Sequence, residues 1–227
     1  MKVSVIIPVY NEEETIRELL SRVFLAPCPA EKEVIVIDDA STDGTKKILA
    51  GLKDRNNFLL LHHQENQGKG TAIRTGLKYA AGDFILIQDA DLEYDPRDYP
   101  ALLKPLLKDE ADAVYGSRNL KKNPRSSVSF YLGGKFLTLI LNLLFKTDLT
   151  DVNTCYKVFK KEVLKSIKLE EPRFAFCEEV TCKALKRGYK IKEVPVNYYP
   201  RTSQQGKKIN WKDGLRGAWV ILKNRLF

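Results

Sequence analysis

Phe84-Ile85-Leu86-Ile87-Gln88-Asp89-Ala90-Asp91 joins four consecutive apolar residues to two carboxylates one residue apart. A short, unbroken apolar run is the pattern of a strand covered on both faces, as in parallel sheets. The same punctuation recurs on the N-terminal side. Val3–Val9 runs into Pro8, Tyr10 and Asn11, Val34–Ile37 ends at Asp38-Asp39, and Phe58–Leu61 forms another run. Amphipathic segments lie between these runs. Glu12–Phe24 has helical spacing at Ile16, Leu19, Leu20 and Val23, and glutamates in its first turn complement the helix dipole. Ser41-Thr42-Asp43-Gly44 is turn and N-cap chemistry before a helix over Lys46–Leu52, and Ala72–Ala80 is the next helix.

Strands alternating with helices predict an α/β fold with a mostly parallel central sheet and helices on both faces. In such sheets ligands bind beyond the carboxyl ends of the strands. Asp38, Asp39, Asp89 and Asp91 fall at those ends. Two acids one residue apart at a strand end can converge on a hard cation such as Mg2+ or Mn2+, and Glu93 can add a third oxygen.

Beyond residue 91 the pattern predicts a helix over Pro100–Lys108, a strand over Ala113–Tyr115 and a polar, basic loop over residues 119–127. A nearly all-apolar helix follows over 128–146. Further on come a strand around Tyr156–Phe159, a helix over Cys177–Lys186 and a strand over Ile191–Val196. The tail Trp211–Phe227 carries apolar residues at 211, 215, 218, 219, 222 and 226, with basic residues on other faces. That pattern suits a helix lying in a membrane interface or one packed on the core. The segment 128–146 suits core, a partner interface or a membrane contact.

The 227 residues carry a formal net charge of +9, unevenly spread. Residues 1–115 hold 14 Lys/Arg against 20 Asp/Glu, and residues 116–227 hold 24 against 9. The acidic half suits a cation, and the basic half suits phosphates, nucleic acid or an anionic membrane. A hydrophobic fraction of 44% excludes disorder. Cys28, Cys155, Cys177 and Cys182 form no C-x-x-C pair, so reduced thiols are expected and a zinc site is not. Met1-Lys2 leads directly into a strand, so no secretory signal is expected. The longest apolar stretch, Phe136–Phe145, is about half the ~20 residues of a bilayer span.

Six ordered blocks carry a resemblance over nearly the whole chain: Pro8-Val9-Tyr10-Asn11-Glu12-Glu13, Asp38-Asp39-Ala40-Ser41-Thr42-Asp43-Gly44-Thr45, Asn66-Gln67-Gly68-Lys69-Gly70, Asp89-Ala90-Asp91, Gly116-Ser117-Arg118 and Phe176-Cys177-Glu178-Glu179. With these the chain resembles the family 2 glycosyltransferases of GT-A fold, most of all the polyprenyl-phosphate glycosyltransferases such as the dolichyl-phosphate mannose synthases. The resemblance implies one GT-A domain. Residues 1–118 would bind the nucleotide sugar, 119–208 would face the acceptor, and 209–227 would form a basic amphipathic helix. It implies that Pro8, Tyr10 and Glu12 form the nucleotide-binding turn, with Ile37 and Asp39 at the base or ribose. Asp89 and Asp91 would hold the metal, Ala90 would lie under the sugar nucleotide, and Glu93 would stand where the synthases often have Gln. Arg118, Arg201 and Lys207 would contact the diphosphate. The segment Arg201-Thr-Ser-Gln-Gln-Gly-Lys207-Lys208 departs from the synthases' R-x-x-G-x-S-K, which makes Lys208 a rival to Lys207.

The implied reaction is inverting hexose transfer from a GDP- or UDP-sugar, aided by Mg2+ or Mn2+, to a polyprenyl (dolichyl or undecaprenyl) phosphate. It would take place on the cytoplasmic side of a membrane, reached directly or through a partner protein. A hydroxyl acceptor would need a base, for which Glu179 and Asp151 are the candidates. A phosphate monoester, already mostly dianionic at pH 7, would need cations such as Arg125 and Lys135 instead. Several blander readings stay open. Gly68-Lys69-Gly70 is either a phosphate cradle or a simple turn, Glu178-Glu179 could merely start a helix, and His62 and His63 read as ordinary strand-end residues. A nucleotidyltransferase would be expected to have a glycine-rich basic loop where Pro8–Glu13 is acidic. A nucleic-acid-binding protein would need an RNP, KH or helix-turn-helix signal, and none is seen.

Overall fold

The computed structural model describes residues 1–54, 56–124, 127–201 and 211–226. Seven strands form one sheet: β1 (Lys2–Val9), β2 (Glu31–Asp38), β3 (Leu59–His62), β4 (Phe84–Ile87), β5 (Ala113–Ser117), β6 (Lys157–Lys160) and β7 (Ile191–Pro195). Their spatial order is β3-β2-β1-β4-β6-β5-β7. Six strands run in one direction, and β6 is antiparallel to both β4 and β5. The mostly parallel α/β sheet is thus as expected, with one reversed strand that apolar patterning does not signal.

The period of two along each strand divides the core. Val3, Val5, Ile7 and Val9 face one layer with Val34, Val36 and Leu86, whereas Ile6, Ile35, Ile37, Ile85 and Ile87 face the other. The first layer is covered by helices α1 (Ile16–Leu25), α2 (Thr45–Lys53) and α4 (Tyr99–Leu107). The second is covered by α3 (Lys69–Leu77), α5 (Val128–Phe145), α6 (Lys161–Ser166) and α7 (Phe176–Lys186), with α8 (Trp211–Leu226) beyond. Burial on both faces is why these strands read as continuous apolar runs.

Two helix starts differ from the periodicity. The first helix begins at Ile16 rather than Glu12, because the preceding backbone is used elsewhere: Glu12 N donates to Thr45 Oγ1 at 2.8 Å and Glu13 N to Asp43 Oδ2 at 3.2 Å. The third begins at Lys69 rather than Ala72. The short α6 carries no strong sequence signal.

The helix α5 is 18 residues long, longer than the apolar run alone suggested, and is long and apolar enough by length and composition to cross a membrane. Leu137, Thr138 and Leu141 are its buried face, while Leu132, Phe136 and Leu143 are exposed. In α8 the buried residues are Gly217, Val220 and Ile221. The stripe Trp211, Leu215, Trp219, Leu222 and Leu226 therefore points outward, and α8 lies against α5 and α7.

Candidate active site

The β1 and β2 ends sit side by side, since Val9 pairs with Asp38 in parallel register. The loops after them are stitched together. Asn11 N donates to Ser41 Oγ at 3.0 Å, Thr42 N to Asn11 Oδ1 at 2.8 Å and Gly44 N to Glu13 Oε2 at 2.6 Å. Asn11 and Ala40 turn the chain with positive φ values of 49° and 60°. Two of the sequence blocks are therefore one structural unit.

Asp39 ties this unit to a third block. Its oxygens accept from Gln67 N at 2.9 Å, Gly68 N at 2.8 Å and the His63 ring at 2.7 Å. His63 also reaches Thr75 Oγ1 at 2.9 Å, so this histidine holds the carboxylate in place. Gly68 has φ +90°, and a Cβ there would lie 2.5 Å from the Pro172 carbonyl; one at Gly70 would lie 2.2 Å from the Glu171 carbonyl. Both glycines are needed for the close passage of this turn against residues 171–173. The turn opens α3 and carries Lys69 to Asp89, where the two form an ion pair, with Lys69 Nζ also 2.9 Å from Cys155 Sγ. Lys69 is thus a site residue whose neighbouring glycines are structural, a distinction the motif alone left open.

Past β4, Gln88 is fully buried and accepts from Tyr99 Oη at 2.9 Å and Tyr156 Oη at 2.8 Å, while its amide donates to the Asp89 carbonyl. That anchor fixes the backbone carrying the two acids. Asp91 accepts from Glu93 N at 3.0 Å and from Arg201 Nη2 at 2.8 Å. Arg201 Nη1 reaches Glu12 at 3.0 Å, and its buried Nε has no partner among the described residues. Burial, then the Asp89 charge, raise the Asp91 carboxyl to about 7. Burial also works against charge on Asp89, but Lys69 outweighs it and holds that carboxyl below its ordinary range.

A cavity of about 970 Å3 opens over these groups. Pro8, Tyr10, Glu12, Asp39, Lys69, Asp89, Ala90, Asp91, Glu93 and Arg201 line one end. Arg118, Asp151, Lys135 and Tyr198 also line the cavity, together with the apolar Phe130, Phe136, Leu137, Trp211, Leu215 and Ala218 from α5 and α8. Arg118 forms a fork with Asp151, Nε to Oδ2 and Nη2 to Oδ1 both at 2.7 Å, and stacks 5.2 Å from the Tyr198 ring centre. Two residues expected on different sides of the reaction are therefore one ion pair. Beneath them the buried Lys157 donates to the Val152 carbonyl at 2.9 Å, holding the loop that carries Asp151.

The side chains of three expected site residues turn elsewhere. Ile37 is fully buried in the core, where its side chain packs against Gly76 of α3 and does not line the cavity. Glu179 does not line the cavity. It accepts from Glu170 N, Glu171 N and Lys183 Nζ at 2.7–3.0 Å, and these bonds brace the 170–171 turn. Glu93 turns its carboxylate to Tyr198 Oη at 2.9 Å and Arg201 N at 2.7 Å rather than toward the aspartates. Arg125, Lys207 and Lys208 lie outside the described residues.

Among the described residues no three His, Cys, Asp or Glu side chains converge on one point. The donor chemistry nonetheless fits a hard divalent ion. Asp89 and Asp91 are oxygen-only ligands on one cavity wall, and their mutual repulsion is now offset by Lys69 and Arg201.

Comparison with known proteins agrees with this arrangement. The sequence model described as glycosyl transferase family 2 matches residues 4–168. A dolichol-phosphate mannosyltransferase of Pyrococcus furiosus is 30% identical over 211 residues, covering 91% of this chain and 59% of that protein. A low-salt glycan biosynthesis hexosyltransferase of Haloferax volcanii is 27% identical, covering 97% of this chain and 53% of the other. The chain thus spans little more than half the length of these two relatives. Among solved structures, glucosyl-3-phosphoglycerate synthase from Mycobacterium tuberculosis with Mn2+, UDP-glucose and phosphoglyceric acid superposes with a TM-score of 0.78, at 20% identity over 100% of this chain and 80% of that one. With its strand-end aspartates, its mostly parallel sheet and a family match over most of its length, the chain belongs to glycosyl transferase family 2 and has the GT-A fold.

Proposed function

We propose that the chain is an inverting hexosyltransferase that moves a sugar from a GDP- or UDP-sugar to a polyprenyl phosphate at a membrane surface. One observation carries the reading: a single cavity runs from Asp89, Asp91 and Arg201 to the apolar walls of α5 and α8. A polar, charged end beside an apolar end suits a nucleotide sugar meeting a lipid phosphate. Residues 1–118 would supply the donor end and 119–208 much of the acceptor end.

The leaving nucleoside diphosphate gains negative charge as the glycosidic bond breaks. Arg201 and Lys69 place cations beside that position, and the Arg201 Nε–H, without a partner among the described residues, has a donor to spare. Asp89 and Asp91 would hold Mg2+ or Mn2+, which when bound supplies charge neutralisation at the diphosphate. Pro8, Tyr10, Glu12 and Asp39 line the part of the cavity assigned to the nucleoside.

The acceptor assignment rests on what the groups around Arg118 and Asp151 can do. A hydroxyl acceptor needs a base, yet Glu179 faces away and Asp151 is a weak one: Arg118 occupies both its oxygens and, outweighing burial, lowers its carboxyl. A phosphate acceptor arrives deprotonated and needs cations, which Arg118, Lys121, Lys122 and Lys135 provide along the wall. The relative from P. furiosus bears the name of a dolichol-phosphate mannosyltransferase, which supports this choice. The outward apolar stripe of α8, with Lys212, Lys223 and Arg225 nearby, fits peripheral attachment at a cytoplasmic leaflet, each cation contributing about 1 kcal/mol against anionic lipid.

The test is a panel of GDP- and UDP-sugars with Mn2+ or Mg2+ and a polyprenyl phosphate in anionic vesicles. Labelled sugar should enter the lipid phase with release of nucleoside diphosphate, and chelation should stop it. Equal transfer to a saccharide hydroxyl would overturn the acceptor, and pyrophosphate release would point to nucleotidyl transfer.

A further inference from the structure

Tyr198 stands between Arg118 and Arg201, the arginines assigned above to the acceptor phosphate and the donor diphosphate, and the reaction as described gives it no part. It lines the cavity and is only 6% exposed. Its ring centre lies 5.2 Å from the Arg118 guanidinium carbon, and its hydroxyl donates to Glu93 Oε2 at 2.9 Å. The other Glu93 oxygen accepts from Arg201 N at 2.7 Å, and the Arg201 guanidinium goes on to Asp91 and Glu12. The backbone is tied down as well. Tyr198 pairs with Tyr94 in an isolated antiparallel bridge, and Tyr199 N donates to the Glu93 carbonyl at 2.8 Å. Asn123 accepts from Tyr198 N at 3.2 Å and donates to the Arg118 carbonyl at 2.9 Å. One side chain thus meets one arginine with its face and, through a carboxylate, the other with its tip.

We propose that Tyr198 is a positioning residue with two separable roles: its ring seats Arg118 for the acceptor, and its hydroxyl, through Glu93, seats Arg201 for the donor. The identity of the two ligands rests on the function proposed above. Asp151 holds one edge of the Arg118 guanidinium, and the aromatic face attracts the cation and limits its rotation. Glu93 has one oxygen on each neighbour, so losing the tyrosine hydroxyl frees the carboxylate to turn and loosens the backbone that carries Arg201. This gives Glu93 a task other than holding a metal.

Tyr198→Phe removes the hydroxyl and keeps the ring, whereas Tyr198→Leu removes both. The full-length chain is titrated with GDP and with UDP in Mn2+ by calorimetry, and kcat and acceptor KM are measured with a polyprenyl phosphate in vesicles. Tyr198→Phe should weaken nucleotide binding by about three- to tenfold, the usual effect of one lost hydrogen bond, and leave the acceptor KM within about twofold. Tyr198→Leu should show the same loss and in addition raise the acceptor KM by about tenfold. Glu93→Ala should repeat the Tyr198→Phe pattern. Glu93→Gln, which still offers an oxygen to Arg201 N and an amide to the tyrosine, should recover most of the nucleotide affinity. Tyr189→Phe, which removes a hydroxyl bonded to Ser166 outside the cavity, should change neither quantity. Wild-type nucleotide affinity in Tyr198→Phe, a Phe variant that raises the acceptor KM as much as the Leu variant, or variants that lower Tm alone would overturn the proposal. Nucleotide calorimetry requires no sugar transfer, so it decides the role of the hydroxyl apart from the acceptor assay.

Discussion

Arg201 Nη2 donates to Asp91 Oδ2 at 2.8 Å across 110 residues of chain, while its other terminal nitrogen reaches Glu12. One guanidinium therefore joins the loop after β1 to the loop after β4. It offsets repulsion between Asp91 and Asp89 in a wall where burial already disfavours charge. A cationic group held at that point is suited to exchange its carboxylate partners for phosphoryl oxygens.

Replacing Asp91 by Asn keeps the shape of the side chain and removes its charge. Transfer should fall by on the order of 10³-fold or more, and nucleotide binding should lose its dependence on Mn2+. Kinetics and calorimetry with and without metal check this, and near-normal turnover would remove the metal assignment.

Arg201→Ala should lower turnover by about 10²- to 10³-fold, the usual effect of deleting one donor to developing charge. Arg201→Lys should recover only part of that, because an ammonium cannot span Glu12 and Asp91 as the planar fork does. Steady-state kinetics on both variants provide the comparison.

Glu179→Gln should act on stability and not on chemistry. Its carboxylate serves two backbone N–H groups and Lys183, and weakening a buried charged hydrogen bond costs about 1–3 kcal/mol. At roughly 2–4 °C per kcal/mol, calorimetry should show a lower Tm, with kcat of the folded enzyme within about threefold.

Glu178 gives a pH signature. Burial, then neighbouring Cys177, raise its carboxyl from 4.5 to about 8, so the folded chain keeps a proton that the unfolded chain releases. The stabilisation is complete below pH 4.5 and is lost as pH rises to about 8, with a slope of at most about 1.4 kcal/mol per pH unit. Glu178→Gln, which keeps an acceptor for Asn153, should flatten this dependence in denaturant unfolding curves.

Trp219→Glu together with Leu222→Glu changes two outward residues of α8. Binding to anionic vesicles should fall at least tenfold, since each large apolar group contributes about 1.5–3 kcal/mol on burial. Flotation assays measure it. Unchanged binding would shift the membrane contact to α5 or to a partner protein.

The strands and their acidic ends were legible because apolar runs and turn residues are local signals that survive without knowledge of the fold. Asp39, Asp89 and Asp91 were found that way. The direction of β6 was not, since a four-residue apolar strand reads the same in either sense. The resemblance implies Ile37 beside Asp39 at the ligand, yet side chains alternate across a sheet and its own goes into the core. Glu178 and Glu179 look equivalent in the sequence, but 100° of helical rotation sends one to Asn153 and Gly217 and the other to the 170–171 turn.

Periodicity and strand-end chemistry along the chain were enough to specify an α/β sheet with carboxylates at its mouth. Which groups face those carboxylates depended on three-dimensional folding: Lys69 is 20 residues from Asp89 and Arg201 is 110 from Asp91. The same holds for the apolar stripe of α8, whose spacing suits core and interface alike until Gly217, Val220 and Ile221 take the inner face. Hydrophobic spacing encodes that a helix has two faces, but the neighbours it meets decide which of them reaches water.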